Sequence, residues 1–220
     1  MTANLPTTRT AFRRTDDHTP GAARVKQVTE PIPLPLTPTQ VLIKVHAISL
    51  NYRDANIANG GNPWPVTPHG IPCNDAAGSI LAKGEQVQTL DIGDRVAPIV
   101  DTENLTGQEA TRSWLAADED GVLADYLIFD QRKVCRLPDY LDWTQASIVP
   151  CAGVTAWAAM KGFGVGKSVL VQGVLRCHRR SNIRGLQQLT RHDDRHRRRE
   201  HVRPKTRASG RSANLPDLFE

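Results

Sequence analysis

Two groups of residues in this chain have types and spacings that suit binding chemistry. Gly173 ends the apolar segment GKSVLVQG at 166–173, directly after an Ala-rich helical stretch. A buried strand that ends in glycine after a helix is typical of the start of a dinucleotide-binding sheet, because glycine lets the backbone approach a phosphate. The second group has N and S donors that suit a metal ion, with helical ligand spacing between two of its histidines; it comprises Cys177, His178, His192, His196 and His201.

Residues 174–220 differ from the rest of the chain in charge. They hold 13 Lys or Arg against five Asp or Glu, whereas residues 1–173 hold 15 against 18. Such an asymmetry is typical of a basic tail that binds nucleic acid. In the same segment, the crowding of arginines around the histidines and the expected disorder argue against the metal site. The whole chain, with 39% apolar and 23% charged residues, has the composition of a globular protein.

The composition also predicts the compartment. No apolar run approaches the roughly 18 residues of a membrane-spanning helix. The first residues, MTANLPTTRTAFRRTDDHT, lack the apolar stretch of a secretory signal. The four cysteines are not closely spaced, which disfavours a disulfide framework. We therefore expect a cytoplasmic protein in a reducing environment.

The elements that must position these residues fall into two patterns. The first pattern is a series of short strand-like segments separated by turn residues, which predicts a barrel-like β domain. NYRDANIANG at 51–60 adds one helical turn, which ends at Gly60-Gly61. The predicted strands lie at 8–14, 24–29, 41–50, 75–84, 95–100, 121–130 and 133–138.

The pattern changes after residue 140. The Ala-rich stretch at 142–164 has a period of 3.6 and predicts two helices that meet near Pro150. The predicted fold class is therefore α+β, with a β domain at 1–140 and linking helices plus a first Rossmann-type strand at 141–173. Residues 174–220 have few apolar side chains and a high charge density, so we expect a disordered basic tail.

Six segments follow one another in a fixed order between about residues 35 and 173. They are VLIKVHAISLNYRD (41–54), IPCNDAAGSI (71–80), GDRVAPIV (93–100), DGVLADYLIFD (120–130), ASIVPCAGVTAWAAM (146–160) and VLVQG (169–173). Their order and spacing resemble the medium-chain dehydrogenase/reductase superfamily, in particular its zinc-independent, quinone-oxidoreductase-like branch. In that superfamily a GroES-like β-barrel catalytic domain leads into a Rossmann coenzyme domain. The resemblance implies NADPH as cofactor, reduction of quinones or activated double bonds, and often a homodimer.

The resemblance also identifies three positions at which zinc alcohol dehydrogenases hold their catalytic metal. These positions are occupied by Asn51, Asn74 and Cys151. A catalytic zinc needs three ligands with N or S donors, and amides are poor zinc ligands. We therefore predict no bound metal, and interpret Cys151 as a small buried apolar side chain. Cys73 is a candidate reactive thiol, but nothing near it in the sequence argues for a lowered pKa.

The superfamily's Asn-Tyr-x-Asp and Ala-Gly-x-Thr segments border the nicotinamide ring. The resemblance therefore implies a catalytic role for Tyr52, which would hydrogen-bond a substrate carbonyl or the cofactor. It implies cofactor contacts for Asn51, Asp54, Gly153, Thr155 and Gly173.

Each of these polar side chains also has an ordinary structural interpretation. Tyr52 is also consistent with a surface tyrosine that packs against the next helix. Asp54 is consistent with a carboxylate at a helix start. The hydroxyl of Thr155 is consistent with a bond to the backbone carbonyl four residues earlier.

The resemblance ends at residue 173. There the superfamily continues with a Gly-rich loop and a helix whose N-terminus holds the pyrophosphate. This chain continues with VLRCHRRSNIRG instead. Codons can be chosen for RHDDRHRR (191–198) so that a one-base shift gives a Thr-Val-Ile-Ala strand, and RASGRSA (207–213) shifts to a similar superfamily phrase. We therefore interpret residues 174–220 as a frameshift product, and expect this chain to be inactive.

A different function remains open on the sequence alone. A non-enzymatic β domain with a basic nucleic-acid-binding tail would explain the charge, because 13 basic residues would neutralise phosphates. The tail has no aromatic residue for base stacking before Phe219, and the chain shows no base-recognition motif. We expect a small-molecule substrate and no nucleic acid or membrane partner.

Overall fold

The computed structural model describes residues 5–164 and 167–170. The chain divides into two units after Gly162. Every helix and strand that the structure describes lies in the first unit. Gly173 and the basic segment 174–220 lie outside the described residues. The metal-site and nucleic-acid hypotheses depend on that segment and therefore also concern residues outside the described part.

An antiparallel hairpin opens the fold. Strands β1 (Thr8–Arg14) and β2 (Val25–Pro31) pair along their whole length, with Thr8 opposite Pro31 and Arg14 opposite Val25. Across the hairpin, Glu30 accepts hydrogen bonds from the guanidinium groups of Arg9 and Arg13 at 2.6–3.1 Å. These two arginines lower the pKa of Glu30, so the hairpin is stabilised by charge as well as by its backbone ladder.

A five-stranded antiparallel sheet forms the body of the domain. It comprises β3 (Gln40–Ser49), β4 (Asp75–Lys83), β5 (Arg95–Pro98), β6 (Tyr126–Asp130) and β7 (Val134–Arg136), in the order β6-β3-β4-β5-β7. The β3–β4 register shifts at Leu42/Ile43 and again at Val45/Ala47. Such irregularities bend a strand and increase its twist, which curls the sheet around its core. The predicted barrel-like β domain is confirmed.

The core lies inside this curled sheet. Its side chains come from almost every strand and from the loops at 71–73, 87–90 and 115–124. Burial of their apolar surface stabilises these strands and loops together. The buried members are Ala11, Val41, Ile43, Ile71, Cys73, Ala76, Ile80, Val87, Leu90, Val96, Leu115, Val122, Ala124, Leu127 and Val134.

A buried arginine fixes the long loop that precedes β4. Arg14 at the end of β1 is only 1% exposed. Its guanidinium donates to the carbonyl oxygens of Thr67 and Ala116 and to the carboxylate of Asp16. A buried charge is tolerated only when its donors are satisfied, so this arginine ties the loop to the hairpin.

The helices are short. They are α1 (Tyr52–Ala58), α2 (Trp143–Ala146) and α3 (Val154–Ala159), with a 3-10 turn at Gln131–Lys133 and a π turn at Val149–Gly153. The two helices predicted for 142–164 do meet near Pro150, but they are shorter than predicted. Proline has no N–H to give, and here the backbone passes it in a π turn in which Gly153 N–H donates to Ile148 O at 2.8 Å.

Helix α2 is fastened to the sheet by its first residue. The Trp143 indole stacks on the His46 ring with 4.3 Å between ring centroids. The Arg95 guanidinium lies 3.8 Å from the centroid of the same indole. These contacts fix the start of the segment that runs on through the π turn.

Two predicted strands differ in the structure. The strand predicted for 121–130 is only Tyr126–Asp130, because Gly121 and Val122 donate their N–H groups to Ile71 O at 2.7 Å and Cys73 O at 2.8 Å. Of the strand predicted for 166–173, residues 167–170 have no regular secondary structure, and residues 166 and 171–173 lie outside the described part. Within the described residues, no helix is long and apolar enough to span a membrane.

We predict that Gly121→Ala destabilises the domain by about 2 kcal/mol or more, because an added Cβ cannot be accommodated without moving backbone. That Cβ would lie 2.1 Å from Cys73 O and 2.6 Å from Pro72 O. Urea unfolding at neutral pH measures the loss. Gly164→Ala is the control, since its Cβ would have no described atom within 4 Å. Equal midpoints for the two variants would contradict the prediction.

Candidate functional site

The first part of the site is the start of α1. Asn51 caps this helix from an extended backbone conformation, and Asp54 occupies its first turn. The Asp54 Oδ2 atom accepts the Asn51 N–H at 2.7 Å. A carboxylate in the first turn satisfies a backbone donor that the helix leaves free, which explains why the helix begins here.

The second part is the start of β4. Cys73 has a left-handed backbone with φ of 69°, a conformation that is uncommon for a residue with a side chain. It turns the chain into Asn74 and Asp75, which are 1% and 0% exposed. Burying both side chains requires hydrogen-bond partners for their polar atoms.

The third part is the π turn after α2. The backbone N–H groups of Cys151 and Ala152 donate to the Asp75 carboxylate at 2.6 and 3.2 Å. The thiol of Cys151 accepts a long hydrogen bond from Asn74 Nδ2 at 3.6 Å. The turn is therefore held by Asp75, the first residue of β4, and by Asn74 immediately before that strand.

The three parts meet in a closed network that we call the polar clasp, comprising Asn51, Asn74, Asp75 and Cys151. The Asn51 amide closes it, because its Nδ2 donates to Asp75 Oδ2 at 2.9 Å and to Asn74 Oδ1 at 3.2 Å. The three positions that the sequence aligned with zinc ligands thus do come together. They do so through hydrogen bonds between side chains.

Burial dominates the electrostatics around the clasp. Desolvation raises the pKa values of Asp54 and Asp75 above the ordinary aspartate value, although both carboxylates accept hydrogen bonds. The Oδ1 atom of Asp54 has no hydrogen-bond partner among the described residues. Burial and the two nearby carboxylates also raise the pKa values of Cys73 and Cys151. Neither thiol is therefore activated as a nucleophile.

The side chains of the clasp do not fit a catalytic zinc. Two of the three aligned positions present amides, and the thiol of Cys151 holds its proton tightly because its pKa is raised. Among residues 5–164 and 167–170, no group of three His, Cys, Asp or Glu side chains is arranged to hold a metal ion.

The structure places the remaining predicted residues around the clasp. Tyr52 follows Asn51 directly and is 86% exposed, so it does not pack against the next helix. Gly153 ends the π turn and Thr155 lies exposed on α3. Within the described residues, the hydroxyl groups of Tyr52 and Thr155 make no hydrogen bond. Their roles stay predictions, and Asp54 is shown to cap α1.

Sequence reasoning missed the residue that contributes most to the site. Asp75 stands beside Asn74 in the sequence, but neither the strand pattern nor the family resemblance predicts a role for it. An acidic residue at the first position of a strand whose next residues are Ala-Ala-Gly is a detectable signal, since a carboxylate among buried small residues needs several donors.

Comparison with known proteins decides the family. Residues 37–139 match the alcohol dehydrogenase GroES-like domain. A zinc-type alcohol dehydrogenase-like protein of Schizosaccharomyces pombe is 34% identical over 165 residues, which cover 71% of this chain and 48% of that protein. The chain belongs to the medium-chain dehydrogenase/reductase superfamily. The family resemblance found in the sequence is confirmed.

Further matches come from the same superfamily. A chloroplastic quinone oxidoreductase of Triphysaria versicolor is 32% identical over 148 residues, covering 66% of this chain and 40% of that protein. The crystal structure of a putative alcohol dehydrogenase from Sinorhizobium meliloti 1021 aligns with a TM-score of 0.62 and 25% identity, covering 71% of this chain and 46% of that one. Trans-enoyl reductases also match. The chain spans about half the length of the curated relatives it matches first.

We predict a pH-dependent gain in stability for Asp54→Asn. Because the pKa of Asp54 is raised above 3.8, the folded state binds this proton more tightly than the unfolded state. Its contribution to the free energy of unfolding is therefore largest below that value and falls as the pH rises through the raised pKa. Relative to the parent chain, the variant should become more stable between about pH 4 and pH 7.

Urea unfolding at several pH values in this range checks the prediction. Asp91→Asn is the control with the opposite sign, because Lys83 lowers the pKa of Asp91. That variant should lose stability relative to the parent as the pH rises from acid. A stability difference for Asp54→Asn that does not change with pH would contradict the assignment.

Proposed function

We propose that this chain carries the catalytic domain of a zinc-independent, NAD(P)H-dependent oxidoreductase that reduces quinones or activated double bonds. The observation that carries the proposal is the polar clasp, in which amides occupy two of the three positions aligned with zinc ligands. The quinone oxidoreductase and trans-enoyl reductases among its relatives support the same substrate class.

The clasp would serve this function by fixing two segments relative to each other. Asn51 carries Tyr52 on the next residue, and Cys151 with Ala152 leads directly into Gly153 and α3. Since Asp75 bonds Asn51 on one side and the π turn on the other, the two segments cannot move apart without breaking these partly buried hydrogen bonds.

Under this proposal, Tyr52 and Thr155 would border the nicotinamide end of a cofactor. NADPH would supply the hydride. The exposed Tyr52 hydroxyl would donate a hydrogen bond to the substrate carbonyl oxygen and so polarise it, and Thr155 would orient the carboxamide. The Asn51 amide already donates both of its hydrogens within the clasp. Asn51 would therefore contribute to cofactor binding only by holding the neighbouring Tyr52 in position.

We assign the activity to the domain, and we do not expect it of the 220-residue chain as it stands. A pyrophosphate site needs backbone N–H groups at a Gly-rich turn that opens a helix. After Gly173 this sequence has Val-Leu-Arg-Cys-His-Arg-Arg. We propose that this chain binds NADPH weakly and through screened attraction to arginines, and that it is therefore inactive.

A fluorescence titration with NADPH at moderate salt tests this on two chains. One is the 220-residue chain, and the other has its codons after 173 read in the shifted frame. We expect weak, salt-sensitive binding by the first and micromolar, salt-resistant binding by the second. Salt-resistant micromolar binding by the 220-residue chain would overturn the proposal.

The residue roles are tested on the frame-shifted chain with a quinone substrate. Tyr52→Phe should lower turnover about 100-fold with little change in NADPH affinity, because it removes only the hydroxyl that polarises the substrate. Thr155→Val should weaken NADPH binding instead. Tyr140→Phe is the matched control, since Tyr140 is also 84% exposed but belongs to neither segment of the clasp.

A further inference from the structure

Asp75 is the most heavily bonded side chain of the polar clasp. It is fully buried, and its two oxygens accept three hydrogen bonds from two different segments of the chain. The donors are the Asn51 amide and the backbone N–H groups of Cys151 and Ala152.

We propose that Asp75 is the positioning residue of this site, and that the hydrogen bonds it accepts do the structural work that a bound metal would do at the same three positions. A metal ion joins side chains from separate segments by coordinating all of them. The Asp75 carboxylate joins the same segments with opposite polarity, as an anion surrounded by donors. It therefore needs amides and N–H groups around it where a cation needs thiolates and imidazole.

The geometry explains why asparagines stand at positions 51 and 74. Each asparagine side chain offers a donor and an acceptor, so the two can bond each other and still serve a second partner. Asn51 Nδ2 uses one hydrogen on Asp75 and one on Asn74, and Asn74 Nδ2 reaches the Cys151 sulfur. Among the described residues, no fully buried side-chain polar atom of Asn51 or Asn74 lacks a hydrogen-bond partner.

The inference rests on the proposed function only for its catalytic meaning, because a correctly placed Tyr52 and Gly153 matter when a cofactor binds between them. The clasp itself is a property of this chain and is tested without any cofactor. An experiment that refutes the role of Asp75 in the clasp can therefore be distinguished from one that refutes the proposed function.

The first experiment is Asp75→Asn, followed by amide NMR and hydrogen exchange on the full chain. A short bond to a carboxylate should shift the Cys151 amide proton downfield in the parent, and the substitution should move it back. Exchange at Cys151 and Ala152 should accelerate roughly tenfold or more, since both donors lose their charged acceptor. Exchange at Ile80 and Ala82 in β4 should stay slow. Asp91→Asn, an exposed change, should alter neither.

An unchanged Cys151 amide shift together with unchanged exchange in the π turn would overturn the proposal. If the variant unfolds altogether, a second test decides, because it leaves Asp75 in place. The double substitution Asn51→Cys/Asn74→His supplies a thiol and an imidazole beside Cys151. With the fourth position left to water, this set suits tetrahedral Zn²⁺ or Co²⁺.

We expect the double variant to bind one Co²⁺ and to develop the thiolate–cobalt charge-transfer band in the near ultraviolet. Adding Cys151→Ser should weaken the binding and diminish the band, and the parent chain should bind no stoichiometric Co²⁺ or Zn²⁺. A folded double variant without the band would show that the three side chains do not converge. One tightly bound zinc per parent chain, found by elemental analysis, would likewise overturn the metal-free assignment.

Discussion

The site depends on one constraint, which is that the carboxylate of Asp75 is buried at the first residue of the central strand β4. A buried carboxylate without donors would be strongly unfavourable, so the chain must bring N–H groups to it. Those donors come from the cap of α1 and from the π turn that follows α2. Two segments separated by about 100 residues are thereby fixed on one strand end.

The surrounding fold bears the energetic cost of this arrangement. Burial raises the pKa values of both Asp54 and Asp75, so at neutral pH each ionised carboxylate is less favourable than in water. Cys73 adds a left-handed backbone immediately before the site. The apolar core inside the curled sheet and the close backbone approach at Gly121 hold this strained segment in place. Functional sites commonly store such costs where the rest of the domain is stable enough to offset them.

The sequence predicted the elements whose pattern is local. Short strand-like segments bounded by turn residues predicted β1 and β3, and Pro150 predicted the break between the helices, because these features depend on neighbours in the chain. The sequence did not predict that residues 121–125 leave the strand, because the N–H partners of residues 121–123 lie about 50 residues earlier at 71–73. Arg14 was likewise missed, since a buried arginine is recognisable only from the loop carbonyls that it satisfies. The convergence of positions 51, 74 and 151 came from the family resemblance, and the role of Asp75 required coordinates.

The convergence of positions 51, 74 and 151 illustrates how one fold can support different chemistries. The backbone of the GroES-like domain brings three side chains to one point through the positions of α1, β4 and the π turn, and this placement does not specify what the side chains are. Thiols and an imidazole at that point favour a cation, whereas two amides around a buried carboxylate satisfy one another and leave no donor set for zinc. The chemistry is therefore decided by a few side chains on a shared scaffold, which is why family membership alone does not give the reaction. On the assignment that we propose, Asn51 and Asp75 carry that information, because their hydrogen bonds keep the segments that carry Tyr52 and Gly153 attached to the same strand end.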